Sequence, residues 1–203
     1  MPIRAVIFDM DDVLCGYHVE TRIACLAEIS GRTPDFVRRA IWEGDFLDRS
    51  DRGAFSADDY LHEFGRLLGY PLSRAEWVYA RKCAMPPFPE MIALAVSLKN
   101  RFPVALLTNN DALVAETMSE LFPEIVPIFG ENVYVSAKLG VAKPDPACFL
   151  TCCERFGANP VETFFTDDRP ENVAGAVQAG LMGHVFLNHA GLVEALALQG
   201  VNL

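Results

Sequence analysis

An α/β fold with a doubly wound, mostly parallel sheet and an inserted helical cap is what this sequence predicts, and three features carry the expectation. Short apolar runs alternate with helical periods through most of residues 88–203. Three of those runs stop abruptly at polar side chains, and the interval 15–87 contains helical spacing only.

Taken in order, residues 3–8 are apolar except for Arg4 and stop at Asp9, Asp11 and Asp12, as a strand buried on both faces does. Helices are then expected at 20–29, 34–42, 57–68 and 74–83, joined at Gly31-Arg32-Thr33, Arg52-Gly53 and Gly69-Tyr70-Pro71. Ser30, Ser56 and Ser73 are turn or capping residues at these joints. The stiff segment Met85-Pro86-Pro87-Phe88-Pro89 cannot continue a helix and returns the chain to the sheet. A helix at 90–101 precedes a strand at 104–107, which ends at Thr108, Asn109, Asn110 and Asp111. Helices at 112–122, 146–156 and 170–179 alternate with strands at 133–135, 163–166 and 184–187, and the strand at 163–166 ends at Asp167 and Asp168. The resulting division is a core of residues 1–14 and 88–203 with a cap of residues 15–87.

Composition narrows the function classes. A net charge of −10 and a pI near 4.8 oppose nucleic-acid and anionic-membrane binding, which need a basic footprint. Six cysteines with neither a CxxC pair nor zinc-like spacing predict reduced thiols and a cytoplasmic location. The segment before Asp9 is too short for a signal peptide or a membrane span. An acidic protein that handles an anionic substrate must supply positive charge locally, from a metal, a lysine or helix N-termini.

In an open parallel sheet, ligands bind beyond the carboxyl ends of the strands, so Asp9, Thr108 with Asn109, and Asp167 with Asp168 are expected around one crevice. Asp9 and Asp11, two apart on an extended segment, face the same side. So many carboxylates would repel one another unless a hard divalent cation sat among them, which predicts Mg²⁺. Asp11, beside the metal but off it, suits proton transfer.

Four segments in order resemble the motifs of the haloacid dehalogenase superfamily: Phe8-Asp9-Met10-Asp11-Asp12-Val13-Leu14, Leu107-Thr108-Asn109, Lys143-Pro144-Asp145-Pro146, and Phe165-Thr166-Asp167-Asp168-Arg169-Pro170-Glu171-Asn172. The chain resembles the subgroup with a helical cap after the first strand, and Arg52-Gly53-Ala54-Phe55-Ser56 resembles a cap turn of its sugar-phosphate phosphatases. The resemblance implies a phosphatase in which Asp9 attacks phosphorus and Asp11 acts as acid, then base. It further implies phosphoryl binding by Thr108, Asn109 and Lys143, and a magnesium ion held by Asp9, the Asp11 main-chain carbonyl and Asp168, supported by Asp167 and Asn172. The implied substrate is a small phosphorylated metabolite such as a sugar phosphate.

Asp12 stands where the family usually has glycine, a position aspartate can occupy because it tolerates left-handed backbone. His18 and Arg49 are candidates for touching substrate from the cap. Asp45, Asp48, Asp51, Asp58 and Asp59 are expected on solvated faces, and Arg169 in a structural ion pair. Dehalogenation is disfavoured because dehalogenases lack the counterpart of Asp11, and phosphomutase action because the cap shows no further phosphate-handling groups. A phosphoacceptor module without turnover is the reading from a different class, and it would need no cap.

Overall fold

The strands β1 (Ala5–Phe8), β2 (Val104–Thr108), β3 (Val133–Val135), β4 (Thr163–Asp167) and β5 (Met182–Val185) form one parallel sheet in the computed structural model, which describes residues 2–201. Their order is β3-β2-β1-β4-β5, so the chain begins in the middle, fills one side and then crosses to the other. The crossover leaves a crevice at the carboxyl end of β1, where such sheets bind ligands. Pairing of Ile7 with Ala105 on one side and Phe165 on the other brings the three strand ends level. The last strand begins two residues earlier than the apolar run at 184–187 implies, because its ladder with β4 starts at Met182 opposite Phe164, and Leu187 is left exposed.

Alternation along the strands builds a core on each face. Val6, Phe8, Val104, Leu106 and Phe164 point to one side, and Ile7, Ala105, Leu107 and Phe165 to the other. The first face is covered by α6 (Pro89–Lys99), α7 (Ala112–Leu121) and α12 (His189–Leu198), numbered in chain order together with the helices below. The second is covered by α10 (Pro146–Phe156) and α11 (Pro170–Gln178), with Cys148, Cys152 and Cys153 buried as small apolar groups. Each large side chain buried this way contributes about 1.5–3 kcal/mol. The helix α12 escaped sequence analysis because its apolar residues run nearly all round it, without a face. Among the described residues, no helix is long and apolar enough to cross a membrane.

Between β1 and α6 lie α1 (Val19–Ser30), α2 (Pro34–Ile41), α3 (Phe46–Asp51), α4 (Ala57–Leu68) and α5 (Arg74–Cys83). Ser56 and Ser73 cap α4 and α5, the latter in a capping box with Glu76. Ser30 caps nothing and donates to the Leu26 carbonyl. Phe46, Tyr60, Phe64 and Trp77 pack ring on ring, with Phe46 and Tyr60 stacked at 5.2 Å. Helices α4 and α5 rest on α7, so the inserted helices share one apolar cluster with the first sheet face. Two further short helices, α8 (Val126–Phe129) and α9 (Ser136–Leu139), flank β3. Helices of four to six residues, α3 included, are too short to leave a readable period.

Glycine is required at two contacts. Gly53, at φ 80°, lets the turn after α3 approach the core, since a Cβ there would stand 2.5 Å from the Ala137 carbonyl oxygen. At Gly175 in α11 a Cβ would fall 2.0 Å from the Pro144 carbonyl oxygen, next to Lys143. Gly175→Ala is therefore expected to cost about 1–3 kcal/mol by overpacking. An unchanged denaturant midpoint for this variant would show that the loop at 143–145 gives way without penalty.

Candidate active site

The three strand ends do converge. Asp9 follows β1 and continues its ladder, donating its N–H to the Thr166 carbonyl at 2.9 Å. Its carboxylate lies 2.7 Å from Lys143 Nζ, and the same ammonium group lies 2.6 Å from Asp167 and donates to the Leu107 carbonyl at 3.1 Å. Lys143 thus joins the ends of β1, β2 and β4. Carboxylate oxygens of Asp9, Asp167 and Asp168 fall within 4.8 Å of one another. Asp167, fully buried, is saturated: besides Lys143 it accepts from Asn172 Nδ2 and from the Arg169 N–H.

Crowding perturbs these groups in the expected directions. Burial pushes the Asp9 carboxyl well above the ordinary carboxylate range, against the pull of Lys143 and with help from Asp167 and Asp11. Burial, then Asp167 and Asp12, push Asp168 up to about 6. Burial opposes the Lys143 charge, but Asp9 and Asp167 outweigh it and hold its pKa above the ordinary value. Three acids, of which Lys143 pairs with only two, form a cluster that a divalent cation fits, since further positive charge would relieve the repulsion.

The inserted helices bring charges that sequence analysis missed. Arg81, on α5 and 1% exposed, donates to Asp11 Oδ2 at 2.6 Å and to Asn110 Oδ1 at 3.3 Å. Asn110 in turn donates to Thr108 Oγ1 at 2.8 Å and to Asp11 Oδ2 at 3.3 Å. Arg81 also lies over the Tyr17 ring at 4.0 Å, and Tyr17 Oη accepts from Arg22 Nη1 at 2.9 Å. Asp12 has φ 60° and accepts the Tyr17 N–H at 2.9 Å, so this left-handed residue uses its side chain to fix the chain where it enters the insert. The signal for both arginines was available: each falls on the buried stripe of its helix, with Ile23 and Leu26 in α1 and with Trp77 and Val78 in α5.

A cavity of about 310 Å³ opens over the acids, with Asp9, Asp11, Thr108, Asn109, Lys143, Asp168 and Asn172 in its wall. Asn109, expected to bind phosphoryl oxygens, spends its side chain otherwise. Its amide donates to the Lys143 carbonyl at 2.7 Å and accepts the Lys143 N–H at 2.9 Å, which positions that lysine. His18 and Arg49 are not brought to this cavity. His18 precedes α1 in a separate depression beside Lys82 and Met85, and Arg49 stacks on Phe55 at the surface, 3.9 Å from Asp45. Arg169 pairs with Glu171 at 2.6 Å, and Lys138 lies 3.7 Å from Glu116, away from the acids. Asp51 corrects the expectation of a solvated face, because the end of α3 turns it into the cavity wall.

Fold and acid cluster together define a protein of doubly wound α/β architecture with a carboxylate site at the edge of its sheet. A profile of haloacid dehalogenase-like hydrolases matches residues 3–180, and the chain belongs to that family. It is similar to a sesquiterpene phosphatase of Aspergillus oryzae, 27% identical over 202 residues and 97% of each chain. It is also similar to a glyceraldehyde 3-phosphate phosphatase of Methanopyrus kandleri, 27% identical over 201 residues, covering 89% of this chain and 82% of that one. With such relatives along most of its length, the chain is a phosphatase of the family. A HAD family enzyme of Bacteroides thetaiotaomicron, solved with magnesium and inorganic phosphate, shares the fold at a TM-score of 0.77, with 21% identity over 90% of this chain and 93% of that one.

Asp51 yields a pH signature. Burial, then Asp111 and Asp48, push its carboxyl from 3.8 up to about 7. Across that window the folded protein holds a proton that the unfolded chain has released, so this group lowers stability progressively as pH rises. Asp51→Asn is expected to melt above the parent protein near pH 8 and to lose that advantage near pH 4. A melting difference of the same size at both ends would refute the assignment.

Proposed function

We propose that the protein is a magnesium-dependent phosphomonoesterase that transfers the phosphoryl group of a small metabolite to Asp9 and then to water. The observation that carries this reading is the Asp9 carboxylate at the focus of Lys143, Thr108 and the Asp167–Asp168 pair, on the wall of a cavity sized for a small ligand. In this reading residues 15–87 form a cap over a core of residues 1–14 and 88–203, and the cap walls the leaving-group side. Six cysteines without a disulfide among them fit the reducing environment of the cytoplasm.

An Asp9 oxygen attacks phosphorus in line, and the bond from phosphorus to the ester oxygen breaks. Asp11 gives its proton to the departing alkoxide, then takes one from the water that attacks the aspartyl phosphate, which regenerates Asp9 and releases inorganic phosphate. Arg81 and Asn110 hold Asp11 in place through Oδ2. The hydroxyl of Thr108 and the ammonium of Lys143 stabilise charge on the transferring oxygens, with Asn109 restraining the main chain of Lys143. Asp9, Asp168 and the Asp11 carbonyl would hold Mg²⁺, and Asp167 and Asn172 would support that set. When bound, the ion neutralises phosphoryl charge and offsets the mutual repulsion of the acids. A receiver-type module does not account for Arg81, which reaches from the inserted helices to the second aspartate.

Purified protein with Mg²⁺ is expected to hydrolyse p-nitrophenyl phosphate, to stop when the ion is chelated, and to recover when it is restored. Asp9→Asn should abolish turnover, and Asp11→Asn should lower kcat by roughly a hundredfold or more. Normal turnover by Asp9→Asn would sink the nucleophile assignment, and turnover indifferent to chelator would sink the metal.

A further inference from the structure

Arg22 is the one buried guanidinium of the inserted helices that takes part in no ion pair among the described residues. It is 4% exposed, and its Nη1 donates to Tyr17, while Nε and Nη2 have no hydrogen-bond partner. Three aromatic rings enclose it, with Trp77 at 5.1 Å and Trp42 and Phe64 each at 5.8 Å from Cζ. Ring faces offset part of the cost of burying the charge, but they supply no acceptor for the two remaining donor nitrogens. Arg81, the second buried guanidinium here, has Asp11 as its carboxylate.

Arg22, Tyr17, Trp42 and Leu47 line the same cavity as Asp9. The Arg22 charge favours the ionised form of Asp111, yet the two form no ion pair among the described residues, and two of the acids nearby hold main-chain groups. Asp111 accepts the N–H groups of Leu113 and Val114 at the start of α7, and Asp12 accepts that of Tyr17. A side chain needed only for packing in this aromatic nest would be apolar. A guanidinium there provides a permanent charge and a pair of N–H donors suited to a carboxylate or a phosphate.

We infer that Arg22 receives a second anionic oxygen group, a carboxylate or a second phosphate, carried by the leaving-group side of the substrate. The inference rests on the phosphatase reading above and narrows its substrates to phosphomonoesters with two anionic ends. Arg22 is then a specificity-determining residue, an anion-handling group of the inserted helices that their sequence alone did not reveal, and the phosphoryl transfer at Asp9 proceeds as already described.

The test is a matched panel of hydroxyalkanoate phosphates, alkanediol bisphosphates and neutral alkanediol monophosphates over a short series of chain lengths, scored by kcat/KM. At one length an anionic member is expected to exceed its neutral partner by about tenfold or more, the worth of a charged hydrogen bond. Arg22→Met, close in length and apolar, should bring that ratio near one, with Arg22→Lys in between. Whether the carboxylates or the bisphosphates show the larger ratio identifies the group. A wild-type enzyme that turns over the panel without preference at any length overturns the inference, as does an Arg22→Met enzyme that keeps the preference. Failure to hydrolyse even p-nitrophenyl phosphate would instead strike the phosphatase reading. Calorimetry on the wild-type protein, comparing hydroxyalkanoate anions with their amides, needs neither turnover nor a folded variant. Tighter binding of the anions by about tenfold is expected, and equal affinities overturn the inference.

Discussion

Lys143 bridges two buried carboxylates from neighbouring strands, 2.7 Å from Asp9 and 2.6 Å from Asp167, and the organisation of the sheet edge depends on that contact. Without an opposing charge, the acids at the ends of β1 and β4 could not share a site from which water is largely excluded. The neighbouring structure serves to keep the ammonium group there. Asn109 clasps its main chain from both sides, the Leu107 carbonyl accepts a further hydrogen bond from the ammonium group, and Gly175 makes room for the loop that carries it. Removal of one partner would leave an uncompensated buried charge, a far larger penalty than the loss of an exposed ion pair.

A second polar chain ties the inserted helices to this edge. Asp12 holds Tyr17 by its N–H, Tyr17 holds Arg22 by its hydroxyl and Arg81 by its ring, and Arg81 holds Asp11. Aspartate at the position after Asp11 is thereby more than a tolerated replacement for glycine. It supplies the left-handed backbone that the turn needs, and also an acceptor that glycine lacks. The residue proposed to move protons is thus fixed from outside the sheet, which couples the chemistry at Asp9 to the seating of α1 and α5.

Much of this architecture could be read along the chain because it is local. Strands buried on both faces read as short apolar runs, and the polar residues that end them mark the carboxyl edge where ligands bind. Hence the sites of Asp9, Thr108, Asp167 and Asp168 were legible, as were the five-stranded sheet and four of the inserted helices. Elements too short for a period, such as α3, or apolar all round, such as α12, left no such trace.

What the sequence alone determined was therefore the fold class, the alternation of elements and the acids at the strand ends, since these follow from periodicities of two and 3.6 residues. Tertiary structure alone decided which distant charges meet. It brought Arg81 to Asp11, set Arg22 among aromatic rings, turned Asp51 into the cavity, and left His18 and Arg49 outside it. Such pairings depend on how helices rotate and stack over a sheet edge, and contacts spanning up to 70 residues leave no periodic mark in the chain.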